Sequence, residues 1–205
     1  MMRIDSNSVG EPERFRSEGD LELLLQAMPR PTDEGHVALV MRRGEAGRRE
    51  TPDEIPLTPD QGVTGDAWSR NEKRSLDMQI AVMEKGVAEM IANGQPLTLF
   101  GDCLILDLDL STENLPPGSR LRIGEAVLEV TPEPHTGCRK FRARFGGDAL
   151  RFVSSQALRH RNLRGIYMRV VEAGKVRPHD PVKVLSRPAK HAVPIAAGSV
   201  SSAPP

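Results

Sequence analysis

A short segment around one cysteine contains the residues best suited to chemistry. Cys138 follows a glycine and precedes Arg139 and Lys140, and His135 lies three residues before it. Cationic neighbours stabilise a thiolate over a thiol, and the thiolate is both the nucleophilic and the metal-binding form of cysteine. The spacing therefore predicts that Cys138 is the reactive residue of the chain, with His135 as a second catalytic candidate.

Two other interpretations of this segment remain open on the residues alone. Cys138 could equally be a small thiol in a turn whose basic neighbours are simply solvated. A Cys/His pair with no identifiable third partner is also only a weak signal for a papain-like hydrolase. The second cysteine, Cys103, forms no C-x-x-C motif with Cys138, and two cysteines cannot make a four-thiolate zinc site. In a reducing compartment both are expected to be free thiols.

The charge of the chain is neutral in total but unevenly distributed. The sequence has 28 Lys or Arg and 28 Asp or Glu, and this balance argues against a dedicated nucleic-acid binder. Between His135 and Val170, however, nine Lys or Arg face a single acid, Asp148, so this segment carries +8 and the remainder −8. Such a local excess indicates a site for an anionic ligand, although arginines on the solvated faces of one helix would give the same pattern.

Length and composition predict the elements that must position these residues. A chain of 205 residues fits one domain, and its 18 Gly and 17 Pro favour a turn-rich β fold. Aromatic residues make up only 3% of the sequence, so the core must be mainly aliphatic. Many short strands separated by glycine-marked turns predict a mainly β protein, a small closed or nearly closed β barrel with two or three peripheral helices.

Periodicity places individual elements along the chain. Leu76, Ile80, Met83, Val87 and Met90 recur at spacings of four and three, which predicts one helix over residues 72–93. A short helix is expected around residues 18–28, and a third is expected to begin near Asp148 as N-cap. Residues 44–70 are expected to form a loop. Strands are predicted at 36–41, 104–110, 121–123, 126–130, 166–171 and 182–185.

The two ends of the chain differ from its middle. Residues 1–35 are predicted to be a partly disordered leader that includes the short helix, and residues 36–186 the barrel domain. Residues 187–205 are rich in Pro, Ala and Ser and cannot bury enough apolar surface to offset the entropy of ordering, so they are predicted to be disordered. Met1–Phe15 has no apolar signal-peptide core, and no stretch is long enough to span a bilayer. We therefore expect a cytoplasmic protein with no membrane partner.

An ordered series of motifs resembles a known family. The motifs are Gly62–Trp68 (GVTGDAW), Gly101–Leu104 (GDCL), Glu113–Pro116 (ENLP), Leu121–Gly124 (LRIG), Ala126–Pro132 (AVLEVTP) and Gly137–Phe141 (GCRKF). Together with the closing segments Arg164–Ile166 and Gly174–Val176, they are similar to the MOSC domain, the molybdenum cofactor sulfurase C-terminal domain. The resemblance covers roughly residues 36–186.

The resemblance implies a fold, a cofactor and a chemistry. Family members have a β barrel of the pyruvate-kinase-insert type and a cysteine that binds the molybdenum of a pterin cofactor (molybdopterin) or is proposed to carry sulfur. Here that cysteine is Cys138. Related standalone members reduce N-hydroxylated bases and amidoximes. The implied partners are a small-molecule substrate, an electron-donor protein and, for a sulfur carrier, a cysteine desulfurase.

Further site residues follow from these motifs and from the basic segment. Arginine and lysine suit the phosphate of a pterin cofactor, and the candidates are Lys140, Arg164 and Arg169. The acids expected to reach the site as proton donors or orienting acceptors are Asp66, Asp77 and Asp102. Trp68 is a candidate pocket wall.

Two departures from the family pattern shape the alternatives. Many members have a Pro-Cys pair preceded by arginine where this chain has His135-Thr136-Gly137-Cys138, and asparagine is common in relatives at the position of Cys103. If both motifs line one pocket, Cys103 could approach Cys138 as a redox pair. Three functions are therefore open: an oxidoreductase module, a sulfur carrier, and a non-catalytic anion-binding or interaction module that keeps the barrel.

Overall fold

The computed structural model describes residues 4–189, so the predicted tail falls mostly outside the described residues. Within this range the chain forms twelve β-strands and three α-helices. None of these helices has both the length and the apolar character needed to cross a membrane.

In chain order the strands are β1 (Glu34–Val40), β2 (Arg42–Arg43), β3 (Arg49–Glu50), β4 (Ile55–Thr58), β5 (Gly62–Val63), β6 (Ile80–Glu84), β7 (Leu104–Asp107), β8 (Arg120–Ile123), β9 (Ala126–Val130), β10 (Ile166–Glu172), β11 (Gly174–Val176) and β12 (Pro181–Ser186). The helices are α1 (Glu18–Ala27), α2 (Lys85–Ala92) and α3 (Arg139–Val153).

Seven of these strands close into a barrel. The strand order is β1-β12-β8-β9-β10-β6-β7, and β7 pairs back with β1. All neighbours are antiparallel except β6 and β7, which are parallel and are connected through α2. Closure satisfies the backbone groups that an open sheet would leave at its edges. The prediction of a mainly β protein with a closed barrel and peripheral helices is confirmed.

Two cores lie on either side of the barrel wall. The barrel interior is filled by aliphatic side chains, together with Cys103, Met168 and Ala126. The outer core lies under the helices and contains Phe100, Phe141, Phe145 and Phe152. The rings of Phe100 and Phe145 stack with their centroids 4.2 Å apart. The expectation of an aliphatic core therefore holds for the barrel interior, whereas the phenylalanines concentrate where the helices pack.

The prediction of a single helix over residues 72–93 is wrong. Ile80–Glu84 form β6 in the barrel wall, and helix begins only at Lys85. All five residues of β6 are buried because one face points into the barrel and the other lies under the helices. A strand buried on both faces has no alternation, so its apolar residues matched a helical spacing by coincidence.

The third helix also begins earlier than predicted. It starts at Arg139, with Cys138 as N-cap, and is interrupted at Gly146, whose φ of 90° and ψ of 170° are not helical. A side chain at Gly146 would place its Cβ 2.9 Å from the ring of Phe15. The predicted start near Asp148 therefore corresponds to the second part of a kinked helix.

Residues 44–70 are more ordered than the predicted loop. Within them β4 and β5 pair with each other, and β11 adds to β4 to make a small second sheet. The strands β2 and β3 form a two-stranded ribbon beside the barrel. Strands this short, rich in Gly and Pro, carry too few residues for a period-two pattern to appear.

The N-terminal segment, defined here as residues 4–10, lies across α3 and β3. The backbone N–H of Gly10 donates to the carbonyl of Ala143 at 3.1 Å, and that of Arg49 donates to the carbonyl of Ile4 at 3.1 Å. The Arg144 guanidinium donates to the carbonyl of Ser6 at 2.9 Å. These contacts place part of the predicted leader against the domain.

Helix α1 allows a matched test of how the helices are attached. Leu21 is fully buried in the outer core, whereas Leu23 on the same helix is 68% exposed. We expect Leu21→Ala to lower the free energy of unfolding by about 2–5 kcal/mol and Leu23→Ala to change it by less than about 0.5 kcal/mol. Urea denaturation followed by circular dichroism measures both. Equal effects of the two substitutions would show that α1 is not packed on the domain as described.

Candidate functional site

A cavity of about 270 Å³ opens between the β2–β3 ribbon, the start of α3 and the outer face of β10. We call it the basic cavity because five cationic side chains line it: Arg43, Arg49, Lys140, Arg144 and Arg164. Asp102, His135 and Tyr167 complete its polar surface, and Phe100 contributes an apolar wall. The structure thus brings together four of the predicted site residues, Lys140, Arg164, Asp102 and His135.

Asp102 and Arg164 form a buried ion pair at the base of this cavity. Nη1 of Arg164 donates to both carboxylate oxygens of Asp102, at 3.0 and 2.9 Å. The Asp102 side chain is fully buried and that of Arg164 is 10% exposed. The guanidinium also lies over the Phe141 ring, 5.4 Å from its centroid, which adds a cation–π contact. Two family-like motifs, 62 residues apart, therefore meet at one point.

Asp66 is buried behind the cavity and orients Arg43. Its two oxygens accept hydrogen bonds from the Arg43 guanidinium at 2.6 and 3.0 Å, and its Oδ1 accepts the N–H of Trp68 at 2.8 Å. Burial disfavours the charged form, but the hydrogen bonds from Arg43 and from backbone N–H groups outweigh it and lower the pKa of Asp66. Asp66 is therefore a carboxylate that fixes a cation, rather than a proton donor.

Arg49 and Arg144 differ from the other two arginines because they are held by carbonyl groups. Arg49 donates to the carbonyl of Thr98, and Arg144 donates to the carbonyls of Ser6 and Ser8. Within residues 4–189 neither has a carboxylate at ion-pair distance. Burial and then the charge of Arg144 lower the pKa of Arg49 to about 10, and burial also lowers the pKa of Arg144. Both stay charged at neutral pH, and their charge is available to a ligand.

His135 forms the wall of the cavity next to the ion pair. Its ring packs on Tyr167 with centroids 4.4 Å apart, and its Nδ1 lies 3.5 Å from Oδ1 of Asp102. The side chain is 7% exposed. Burial, reinforced by the positive charge of Arg164, lowers the pKa of His135 to about 3. The imidazole is therefore neutral at pH 7 and too weak a base to be protonated there, so it is not an imidazolium proton donor.

The two cysteines occupy different environments. Cys138 is exposed at the N-cap of α3, two residues before Lys140, and is not among the residues that line the basic cavity. Cys103 is fully buried just before β7, and burial raises the pKa of its thiol to about 11. Both are free thiols. A buried, protonated thiol is a poor nucleophile, so the structure gives no support to a redox pair.

Two other predicted residues are not brought to the cavity. Arg169 lies on the solvent-facing side of β10 and donates to Glu129 at 2.6 Å. The carboxylate of Asp77 lies 3.8 Å from Arg169 on the same exposed surface. Both residues belong to a surface ion-pair group, of the kind that contributes little to stability or binding.

Sequence reasoning missed Arg43, Arg49, Arg144 and Tyr167. Arg43 lies on a two-residue strand just before the predicted loop of residues 44–70, and Arg49 lies on another within it. Arg144 was one of nine cations in the basic segment, and the count of charges alone did not separate it from the exposed Arg142. Its position on the helix face with the buried Phe141 and Phe145 is the signal that could have found it, because three and four residues apart is one helical face.

The basic cavity differs from a metal site built from protein side chains alone. The part of the chain that the structure describes contains no cluster of three or more His, Cys, Asp or Glu side chains that could hold a metal ion. The donor set fits an anionic cofactor, with cations for its acidic group and one thiol, Cys138, as a soft metal ligand nearby.

A family model described as the MOSC domain matches residues 72–183, more than half of the chain. A search of curated proteins finds no match. The chain is similar in fold to the crystal structure of a hypothetical protein. The TM-score is 0.55 at 21% identity, and the match covers 75% of this chain and 68% of the other.

Two named proteins are also similar to this chain in fold. For the YuaD protein from Bacillus subtilis the TM-score is 0.55 at 15% identity, covering 74% of this chain and 95% of that one. For YiiM from Escherichia coli it is 0.50 at 23% identity, covering 75% and 70%. These likenesses show the barrel fold. Arg43 and Arg49 precede the family-matched range, so part of the basic cavity is built by residues outside it.

The buried neutral state of His135 predicts a pH dependence of stability. Its pKa is about 3 in the folded chain and about 6.5 when unfolded. Below pH 6.5 the unfolded chain takes up a proton that the folded chain does not, so stability falls as the pH falls. From pH 7 to pH 5 this one group is expected to cost about 2 kcal/mol.

Urea denaturation at both pH values measures this cost, and His135→Gln should remove it. The same substitution at His160, which is exposed and has no carboxylate at ion-pair distance among the described residues, is the control for the loss of a histidine. If the parent protein and His135→Gln lose the same stability between pH 7 and pH 5, the ring titrates normally and the described burial is wrong.

Proposed function

Because this chain belongs to the MOSC domain family, we propose that it binds a phosphorylated molybdenum cofactor in the basic cavity and reduces N-hydroxylated compounds. One observation carries the proposal. Two guanidinium groups, the buried Arg144 and the partly buried Arg49, face a cavity with only carbonyl partners among the described residues. Unneutralised cations in a partly buried cavity are costly unless an anion joins them.

The cations of the cavity divide into two groups with different roles. Arg43 is neutralised by Asp66, and Arg164 by Asp102, so these two contribute shape and hydrogen bonds rather than net charge. Arg49, Arg144 and Lys140 provide the excess positive charge. A phosphate dianion matches this excess, and guanidinium groups bind its oxygens in a bidentate way.

Cys138 is the residue that would hold the metal. A thiolate is a soft ligand suited to such a centre, and the exposed N-cap position leaves its sulfur free of packing constraints. When bound, the molybdenum cofactor supplies the two-electron chemistry. The reaction breaks the N–O bond of the substrate and forms an N–H bond, and the oxygen leaves as water.

The residues of the cavity determine where protons come from. Two protons are consumed for each N–O bond reduced, while two electrons arrive from an electron-donor protein. Asp66 is ionised and His135 is neutral, so neither has a proton to give at pH 7. The Tyr167 hydroxyl and the Lys140 ammonium line the cavity and do carry protons.

A second function is favoured by the exposure of Cys138. A thiol that stands outside the cavity can be reached by another protein, as a sulfur carrier requires. In that case the Cys138 thiolate attacks the outer sulfur of the persulfide on a cysteine desulfurase. A new S–S bond forms on Cys138, and the desulfurase thiolate leaves.

The cofactor proposal predicts metal and pterin contents. Protein purified from cells that make the cofactor is expected to contain molybdenum and pterin in near-equal amounts, measured by plasma mass spectrometry and by pterin fluorescence after oxidation. Cys138→Ala should lower the molybdenum content by about tenfold or more and retain part of the pterin. Arg49→Ala and Arg144→Ala should lose both, because they remove the contacts to phosphate.

Arg142→Ala is the control for the arginine variants, since Arg142 is exposed on the same helix and outside the cavity lining. Thermal unfolding of every variant checks that the fold is intact. Parent protein free of metal and pterin from cofactor-replete cells would contradict the proposal. Bound cofactor without reduction of an amidoxime would instead point to a non-catalytic binding module.

The sulfur-carrier alternative makes a separate prediction. After incubation with a cysteine desulfurase and cysteine, intact-mass analysis should show one added sulfur on the parent protein, and peptide mapping should place it on Cys138. Cys138→Ser should gain none, and the buried Cys103 should stay unmodified. Sulfur found on both cysteines or on neither would exclude this function.

A further inference from the structure

A second cavity adjoins the basic cavity and has no role in the function proposed above. Its volume is about 340 Å³, and it shares Arg43, Ala67, Ala81 and Tyr167 with the basic cavity. We propose that the two form one bipartite site for a ligand that carries a nucleoside diphosphate group, with the base in the second cavity. This inference rests on the proposed function, because it specifies the ligand of the same site.

A flat cationic platform lies in the second cavity. The Trp68 ring is 8% exposed and its Nε1 donates to the carbonyl of Ser75 at 3.1 Å, which fixes its orientation. The guanidinium of Arg74 lies over this ring, 5.5 Å from the centroid. Nucleic-acid-binding proteins stack bases on aromatic rings and on guanidinium planes. Arg74 is exposed, so its outer face is open to a planar base.

The second cavity also supplies charge and a hydrogen-bonding group. Lys73 and Arg74 line it, and among the described residues neither has a carboxylate at ion-pair distance. The Oδ1 of Asn71 accepts the N–H of Lys73 at 3.0 Å, so the amide NH₂ of Asn71 can meet the edge of a base. The positive charge of Lys73 and Arg74 can attract a phosphate, and the adjacent stacking surface can bind the base that the phosphate carries.

Arg43 and Tyr167 connect the two cavities. Arg43 is held by Asp66 and lines both, so its position is set before any ligand binds. A diphosphate that passes this residue would have one phosphate beside Arg49 and Arg144 and the other towards Lys73 and Arg74. A ligand with a single phosphate and no base would use the basic cavity alone.

Two kinds of ligand carry this group, a nucleotide-extended pterin cofactor and a free nucleoside diphosphate. Both would meet the same residues in the same way. The ligand released from the purified protein by heat distinguishes them by mass spectrometry. A pterin linked to a nucleotide supports both proposals, and a nucleotide alone supports the bipartite site but contradicts the cofactor proposal. A pterin monophosphate alone contradicts the bipartite site.

Trp68 allows direct measurement because it is the single tryptophan of the chain. The probes are guanosine diphosphate, cytidine diphosphate and inorganic phosphate, followed by Trp68 fluorescence and by titration calorimetry. At least one of the two nucleotides is expected to bind at least about tenfold more tightly than phosphate and to quench Trp68. Lys73→Ala and Arg74→Ala should each lower the affinity for that nucleotide by about tenfold and leave the affinity for phosphate unchanged.

The controls separate this inference from the proposed function. Arg122→Ala removes an exposed cation from β8, outside both cavities, and should change neither affinity. Phosphate binding that is absent, or insensitive to Arg49→Ala and Arg144→Ala, would overturn the anion site and hence the proposed function. Phosphate binding that depends on those arginines, with neither nucleotide bound more tightly, would overturn the bipartite site alone.

Discussion

The buried ion pair between Asp102 and Arg164 is the interaction on which the site depends. A carboxylate with no exposure is tolerated only with a charged partner, and removal of one member of such a pair costs several kcal/mol. Arg164 precedes β10 and Asp102 precedes β7, so the pair ties two parts of the barrel wall together. The same guanidinium covers Phe141 of α3 and shifts the pKa of His135. Barrel, helix and cavity wall are thus fixed by one contact.

Around this neutral pair the cavity keeps an imbalance of charge. Carboxylates neutralise Arg43 and Arg164, but carbonyl groups hold Arg49 and Arg144. Carbonyls orient a guanidinium without cancelling its charge. The cavity is therefore rigid in geometry and positive in potential before a ligand arrives, which lowers the cost of binding an anion.

Much of the fold could be predicted from the sequence, and the site only in part. The turns that flank residues 121–123 and 126–130 predicted these two strands, and they form the β8–β9 hairpin of the barrel. The strand Ile80–Glu84 was missed because both of its faces are buried. Asp102, Arg164 and Lys140 lie in motifs, and the structure brings them to the cavity, whereas Arg43 and Arg49 lie on two-residue strands whose placement depends on tertiary contacts. Arg169 shares the outer face of β10 with Tyr167 but does not line the cavity, because a basic segment does not reveal how far along a strand a cavity extends.

The way the barrel closes has a consequence for synthesis of the chain on the ribosome. β1 lies near the start of the domain and pairs with β12 near its end, with Glu34 opposite Lys183. Until Ser186 has left the ribosomal exit tunnel, β1 and β8 each lack a neighbour and present an open edge. Loop closure over this distance is slow, and open edges invite pairing with other chains. The nascent chain therefore passes through a period of aggregation risk that ends only when its last strand is added.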